Sequence, residues 1–326
     1  MVAIFREKSA VSVFWLIALS IVIHGHFIVA PPQVVLNDND VWMKTLLSPL
    51  SSFPALALLL LYHIIVIVQA LRLSTVLNHL RMFPKVYFIP ALCYLILTSL
   101  YPAWNNITPA LLINFIIIWL FSLIARLYSS PQSKPLIYNI GFLVGTVAFI
   151  YSPFLFLLPV CFIALTLLRA FRFNEWMILL LGILTPAYLL ASVLFLNNNL
   201  DVFVKAMPHF HPHVIIMQKQ TPLLIAFAAS AVLLIWGIAA WQSNTGRMII
   251  QTRRCWSVLF IMFLFSIPLL FVLKGEDTTI LLLSTVPAAA LSSNAFVYSK
   301  NEWLQTVVFW LLIVTVIFNN WFWLKT

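Results

Sequence analysis

Charge is nearly missing from this chain: only 8% of its 326 residues are Asp, Glu, Lys or Arg, whereas a soluble domain carries about 25%. So few charges cannot cover a surface against water, which excludes a soluble globule and makes the bilayer the solvent. Glycine is scarce, with 7 residues, and there are 3 cysteines. Cys93, Cys161 and Cys255 lie far apart, inside or at the edge of apolar runs, so neither a disulfide framework nor a cysteine-based zinc site is available. A phosphate-cradling glycine loop and a nucleophile elbow are absent. Membrane-embedded charges are too few for coupled transport. No fixed-period repeat and no second domain is apparent, so residues 1–326 read as a single integral membrane domain.

What is present is apolar: 63% of the residues are hydrophobic. A run of about 20 such residues crosses a core roughly 30 Å thick as a helix, and lipid offers backbone groups no other partners. The punctuation predicts an all-α polytopic membrane protein with about eleven spans, at 11–30, 53–73, 86–101, 108–128, 136–150, 153–169, 176–196, 222–242, 256–273, 278–296 and 303–324. Arg6 and Lys8 precede the first run much as in a signal peptide. That run is longer than a usual signal core and lacks an A-x-A site, so it is expected to remain as a span.

The formal charge of +10 follows the Lys/Arg bias of membrane loops, and no nucleic-acid partner is expected. With a cytoplasmic N-terminus, 13 of the 18 Lys and Arg fall inside and Lys44, Lys205, Lys219, Lys274 and Lys325 fall outside, with the C-terminus also outside. Reading 136–169 as one long helix weakens the split to 11 against 7. Pro153 removes a backbone donor and pushes Ser152 out of helical geometry, which favours a hairpin at Tyr151-Ser152-Pro153. Arg169, Arg172 and Glu175 flank a tight inner turn, where one arginine is placed to pair with the glutamate. Gly141 and Gly145 form a small-xxx-small pair suited to close helix packing.

The outer loops hold the candidate chemistry. Asn37-Asp38-Asn39-Asp40 precedes Val41-Trp42-Met43-Lys44, a short amphipathic piece suited to the membrane surface. Asp38 and Asp40 are the candidate catalytic pair, as general base or shared metal ligands; an Asx-rich turn after Pro31-Pro32 is the alternative. The longest polar interruption, 197–221, carries His209, His211 and His213 in alternation. Pro212 favours an extended backbone there, which would put the three imidazoles on one face, fit to hold a divalent metal. A lid or interfacial loop is the alternative. His24 and His26 sit near the outer end of the first span. His63, within the second, is either a ligand or a hydrogen-bonding group beside Tyr62 and Gln69. Lys205, Lys219 and Lys274, with His63, are the candidate substrate-binding set for a lipid phosphate.

The segment from Asn139 through Gly141 and Gly145 to Tyr151-Ser152-Pro153, then Arg169-Ala170-Phe171, Glu175-Trp176 and Gly182 through Pro186, resembles a family of bacterial integral membrane proteins classed as a domain of unknown function. Some members carry the name beta-carotene 15,15'-monooxygenase, and no residue pattern here supports that chemistry. The short glycine/proline hairpin, the number of spans and the acidic first outer loop are also similar to the C-type glycosyltransferases that use polyprenyl-phosphate sugars. The first resemblance implies a bacterial inner-membrane location, and the second gives Asp38 or Asp40 the role of base or metal ligand.

Three functions are therefore in view: a transferase acting on a lipid-linked substrate, a histidine-rich membrane metalloenzyme, and a non-catalytic subunit or scaffold of an envelope assembly with membrane-protein partners. Membrane lipids are partners in all three.

Overall fold

The computed structural model describes residues 2–7, 9–36, 41–130, 133–199, 221–269 and 278–322. Among them are twelve α-helices: α1 (Ala10–Ile23), α2 (Val41–Leu47), α3 (Ala55–His79), α4 (Ile89–Thr98), α5 (Pro109–Arg126), α6 (Ser133–Ile150), α7 (Leu157–Leu168), α8 (Phe173–Leu196), α9 (Thr221–Asn244), α10 (Ile250–Ser266), α11 (Thr285–Tyr298) and α12 (Glu302–Phe322). Short 3-10 turns join many of them, and no strand occurs among the described residues. Helix starts follow from local chemistry. Ser9 Oγ accepts from the Ser12 N–H at 3.2 Å to open α1, and Thr108 Oγ1 accepts from the Leu111 N–H at 3.2 Å ahead of Pro109 in α5.

Each of the eleven predicted apolar runs contains a helix. Seven helical stretches are long and apolar enough to cross a membrane: 55–79, 109–126, 133–150, 173–196, 221–247, 278–298 and 302–321. The remaining runs hold the shorter α1, α4, α7 and α10. At 1.5 Å per residue the ten residues of α4 span about 15 Å, half of a hydrocarbon core. All ten are buried by protein, the condition under which helix ends at membrane depth are tolerated.

Hydrogen bonds between elements sort the helix ends into two groups. At one end the Phe88 N–H donates to Phe5 O at 2.8 Å, Arg6 Nη2 to Gln305 Oε1 at 2.9 Å, Trp256 Nε1 to Met82 O at 3.3 Å and Arg169 Nη1 to Leu127 O at 3.1 Å. Arg6, Arg72, Arg81, Lys85, Arg126, Lys134, Arg169, Arg172, Arg247, Arg253, Arg254 and Lys300 lie at or toward this basic end. Among the described residues Lys44 alone of the Lys and Arg lies at the other. That opposite end gathers His24, Tyr62, Ser99, Asn105 and Asn320 and is termed the histidine end. Val2 and Phe322 thus lie at opposite ends.

The chain does turn at Tyr151, whose φ of −142° and ψ of 100° are not helical. It returns through α7, so that α6 and α8 run parallel. Glycine makes that pairing close: a Cβ on Gly141 would lie 2.5 Å from Leu179 O, and one on Gly182 would lie 2.5 Å from Tyr138 O. A Cβ on Gly145 would strike Ile183 O. At the basic end of the hairpin Arg169 Nε lies 3.2 Å from Glu175 Oε2, and Ser133 Oγ donates to Glu175 Oε1 at 3.3 Å. Arg169 is therefore the arginine that pairs across the turn.

The centre of the bundle is α4 against α3 and α11, with residues 285–296 of α11 all buried. Small side chains at Ala288, Ala289, Ala290, Ser292 and Ser293 let α9 approach, and a Cβ on Gly237 would lie 2.7 Å from Ser292 Cα. In contrast α8 is peripheral and buries only Glu175, Leu179 and Gly182.

Candidate functional site

The histidine end is built around a closed circuit of polar side chains from five segments. His24 caps α1, and its Nδ1 lies 2.8 Å from Ser20 O. A carbonyl only accepts, so Nδ1 carries the proton, and in the neutral ring Nε2 is the acceptor. Two hydroxyls face Nε2, Ser99 Oγ at 3.1 Å and Tyr62 OH at 3.4 Å; each has a single proton, and Ser99 Oγ shares its own with Leu95 O at 2.7 Å. Tyr62 OH also reaches Asn105 Oδ1 at 3.3 Å; Asn105 Nδ2 donates to Asn320 Oδ1 at 2.9 Å, and Asn320 Nδ2 to Ser99 O at 3.0 Å. The circuit closes on Ser99, and all five residues are buried. In a membrane the alternative for each group is an unsatisfied dipole, so the circuit fixes five chain segments in one register.

Neighbouring groups extend it. Asn319 Nδ2 donates to Leu100 O at 2.6 Å and Pro222 O at 3.0 Å, tying down the start of α9. The first polar loop is pinned beside Asn105: Ile107 N–H donates to Gln33 O at 2.9 Å, Val35 N–H to Ile107 O at 3.1 Å, and Gln33 N–H to Asn106 Oδ1 at 2.9 Å. Deeper in the bundle Tyr94 OH donates to Gln69 Oε1 at 2.8 Å, Gln69 Nε2 to Leu111 O at 2.6 Å, and Asn114 Nδ2 to Tyr94 OH at 3.0 Å.

Aromatic rings pack around His24. Phe27 stacks on it at 5.0 Å between centroids, with His63 at 5.3 Å and His26 at 6.0 Å. His63 Nδ1 lies 2.9 Å from Leu59 O and so donates there, which leaves Nε2 as an acceptor. That Nε2 and His26 Nδ1 are both buried without a hydrogen-bond partner among the described residues. His63 Nε2 is therefore free to accept from a donor or to meet a cation.

A second feature lies at the same end, on the outside of the bundle. A half-open groove of about 190 Å³ runs between α2, α6 and α8, lined by Trp42, Thr146, Phe149, Ile150, Pro186 and Leu190. Pro186 lies inside α8 and cannot donate to the carbonyl one turn back, and Trp42 Nε1 is buried with no acceptor among the described residues. An apolar trough with a spare indole N–H suits a hydrocarbon chain that bears an oxygen.

Of the predicted site residues, the structure places His63 in the aromatic cluster, together with His24 and His26. Asp38, Asp40, Lys205, Lys219, Lys274, His209, His211 and His213 lie outside the described residues. Among the described residues no group of three or more His, Cys, Asp or Glu is arranged to hold a metal. Asn105, Ser99, Asn320 and the groove residues Trp42 and Pro186 were not singled out as site residues in the sequence. Asn319-Asn320 inside the last apolar run was the available signal, since an amide at membrane depth requires a partner.

No curated protein and no solved structure matches the chain. Residues 54–326, from the threshold of α3 through the rest of the bundle, match a family model described as a family of unknown function (DUF6427), and the chain belongs to that family.

Proposed function

We propose that this integral membrane protein is a transferase acting on a lipid-linked substrate of the polyprenyl-phosphate class, at the membrane face occupied by the histidine end. The observation that carries this reading is the groove. It is apolar and opens outward from the bundle, and Trp42 on its wall stands two residues after Asp40. A chain entering from the bilayer along α8 would bring its head group toward α2, which Asp38 and Asp40 precede in the sequence. In this reading those carboxylates supply the base. Lys205, Lys219 and Lys274 hold the phosphate, with His63 beside it. A divalent metal, if used, is held by His209, His211 and His213. The similarity to C-type glycosyltransferases agrees with an acid in this first loop. The collection of Lys and Arg at the basic end supports a cytoplasmic location for that end in a bacterial inner membrane.

The test uses full-length protein in liposomes with a polyprenyl phosphate carrying a photoreactive group on its chain. Cross-links concentrated on α2, 146–150 and 186–190, and lost in Thr146→Trp, are expected. Labelling spread evenly over lipid-exposed positions such as Leu181 and Val314 would refute the reading. Asp38→Asn with Asp40→Asn is expected to keep cross-linking and abolish transfer.

A histidine-rich metalloprotein is the second reading, favoured by the unpartnered nitrogens of His26 and His63. It requires stoichiometric zinc, copper or iron in the purified protein. A metal-free preparation that retains function removes it.

A further inference from the structure

The basic end contains a second site, unconnected with the groove. The ends of α5 and α7 and the start of α10 meet there. Arg169 Nη1 donates to Leu127 O at 3.1 Å, Arg254 Nη1 to Leu168 O at 3.3 Å, and the Arg254 guanidinium lies 5.6 Å over the Tyr128 ring. These two arginines are consumed in holding the junction together, and Arg169 also neutralises Glu175. Three more arginines lie within four positions of these contacts: Arg126, Arg172 and Arg253. All three are exposed, and none has an acidic partner within ion-pair distance among the described residues. The one carboxylate at this junction, Glu175, is buried and taken.

The surroundings distinguish a lipid from a soluble anion. Arg172 is flanked by Phe171 and Phe173, which are 65% and 67% exposed, and Ile249 near Arg253 is 70% exposed. A free phosphate has no use for bare phenylalanine rings, whereas acyl chains below a phosphate match them. Basic pockets between membrane helices hold anionic head groups on the same principle.

We infer that the α5–α7–α10 junction binds an anionic diacyl lipid, with Arg126, Arg172 and Arg253 on its phosphate and Phe171 and Phe173 against its chains. Arg169 and Arg254 are the frame that joins the chain segments bearing Arg126, Arg172 and Arg253.

Native mass spectrometry of the full-length protein, titrated in detergent with phosphatidylglycerol or phosphatidylethanolamine, tests this. A preference of at least about tenfold for phosphatidylglycerol is expected. The Arg126→Gln, Arg172→Gln, Arg253→Gln variant should lose it, while Lys300→Gln, on the α11–α12 link, should retain it. The three side chains are exposed, so the triple variant should melt with the wild type in the absence of lipid. Equal retention of the two lipids, or an unchanged preference in the triple variant, overturns the proposal. Displacement of phosphatidylglycerol by millimolar inorganic phosphate also overturns it, since the site would then belong to a soluble anion.

Discussion

Asn105 shows how much one amide decides at the histidine end. It accepts from Tyr62, donates to Asn320 and is buried. Asn105→Leu would leave Asn320 Oδ1 without its donor, at about 1–3 kcal/mol for a buried group left unpaired. Thermal unfolding of the variant in detergent measures that loss. A double-mutant cycle with Asn320→Ala should give a coupling of about 0.6–1.7 kcal/mol, the range for interhelical hydrogen bonds in membranes; zero coupling would mean that the two amides do not meet. The pair was not legible in the sequence, because its members stand 215 positions apart and no periodicity joins them. Tyr62 and His63 were legible as polar groups in an apolar run that needed partners. The partner of His63, Leu59 O, lies one turn back in α3 itself, whereas those of Tyr62, His24 and Asn105, are met only when other segments fold against α3.

Between helices the decisive contacts are backbone on backbone. Gly182→Leu would drive a side chain into Tyr138 O and push α8 off α6, costing about 1–3 kcal/mol of overpacking. Because α8 buries so little else, the variant should be selectively cleaved in α8 by added protease while the rest of the bundle persists. The Arg169–Glu175 pair gives a second test. Arg169→Ala strands a carboxylate that is 3% exposed, at about 3–5 kcal/mol, measured as a fall in melting temperature, and Arg169→Lys should recover part of it. The Gly141 and Gly145 pair, the turn at Tyr151 and an ion pair to Glu175 were readable from the sequence as local patterns, but which of Arg169 and Arg172 makes that pair was not. The shortness of α4 was not. A helix enclosed by protein and a helix facing lipid are equally apolar, so hydropathy cannot say which of them must reach across.

For the molecule as a whole, the separation of basic and histidine ends makes sidedness measurable. Single cysteines at Lys44 and Lys300, in a background freed of Cys93, Cys161 and Cys255, should react with a membrane-impermeant maleimide from opposite sides of sealed vesicles. Labelling from the same side would break the alternation of ends. The depth of α11 carries a consequence for how the protein is made. Its residues 285–296 fill the middle of the bundle, and Asn114 on α5 donates to Leu282 O and Thr285 Oγ1. The ribosome delivers that central piece after α1 to α10 have been made. Until then α4 lacks one wall and Asn114 lacks two of its acceptors. Assembly must wait for α11, and a nascent chain stopped before residue 278 should be a substrate for membrane quality control.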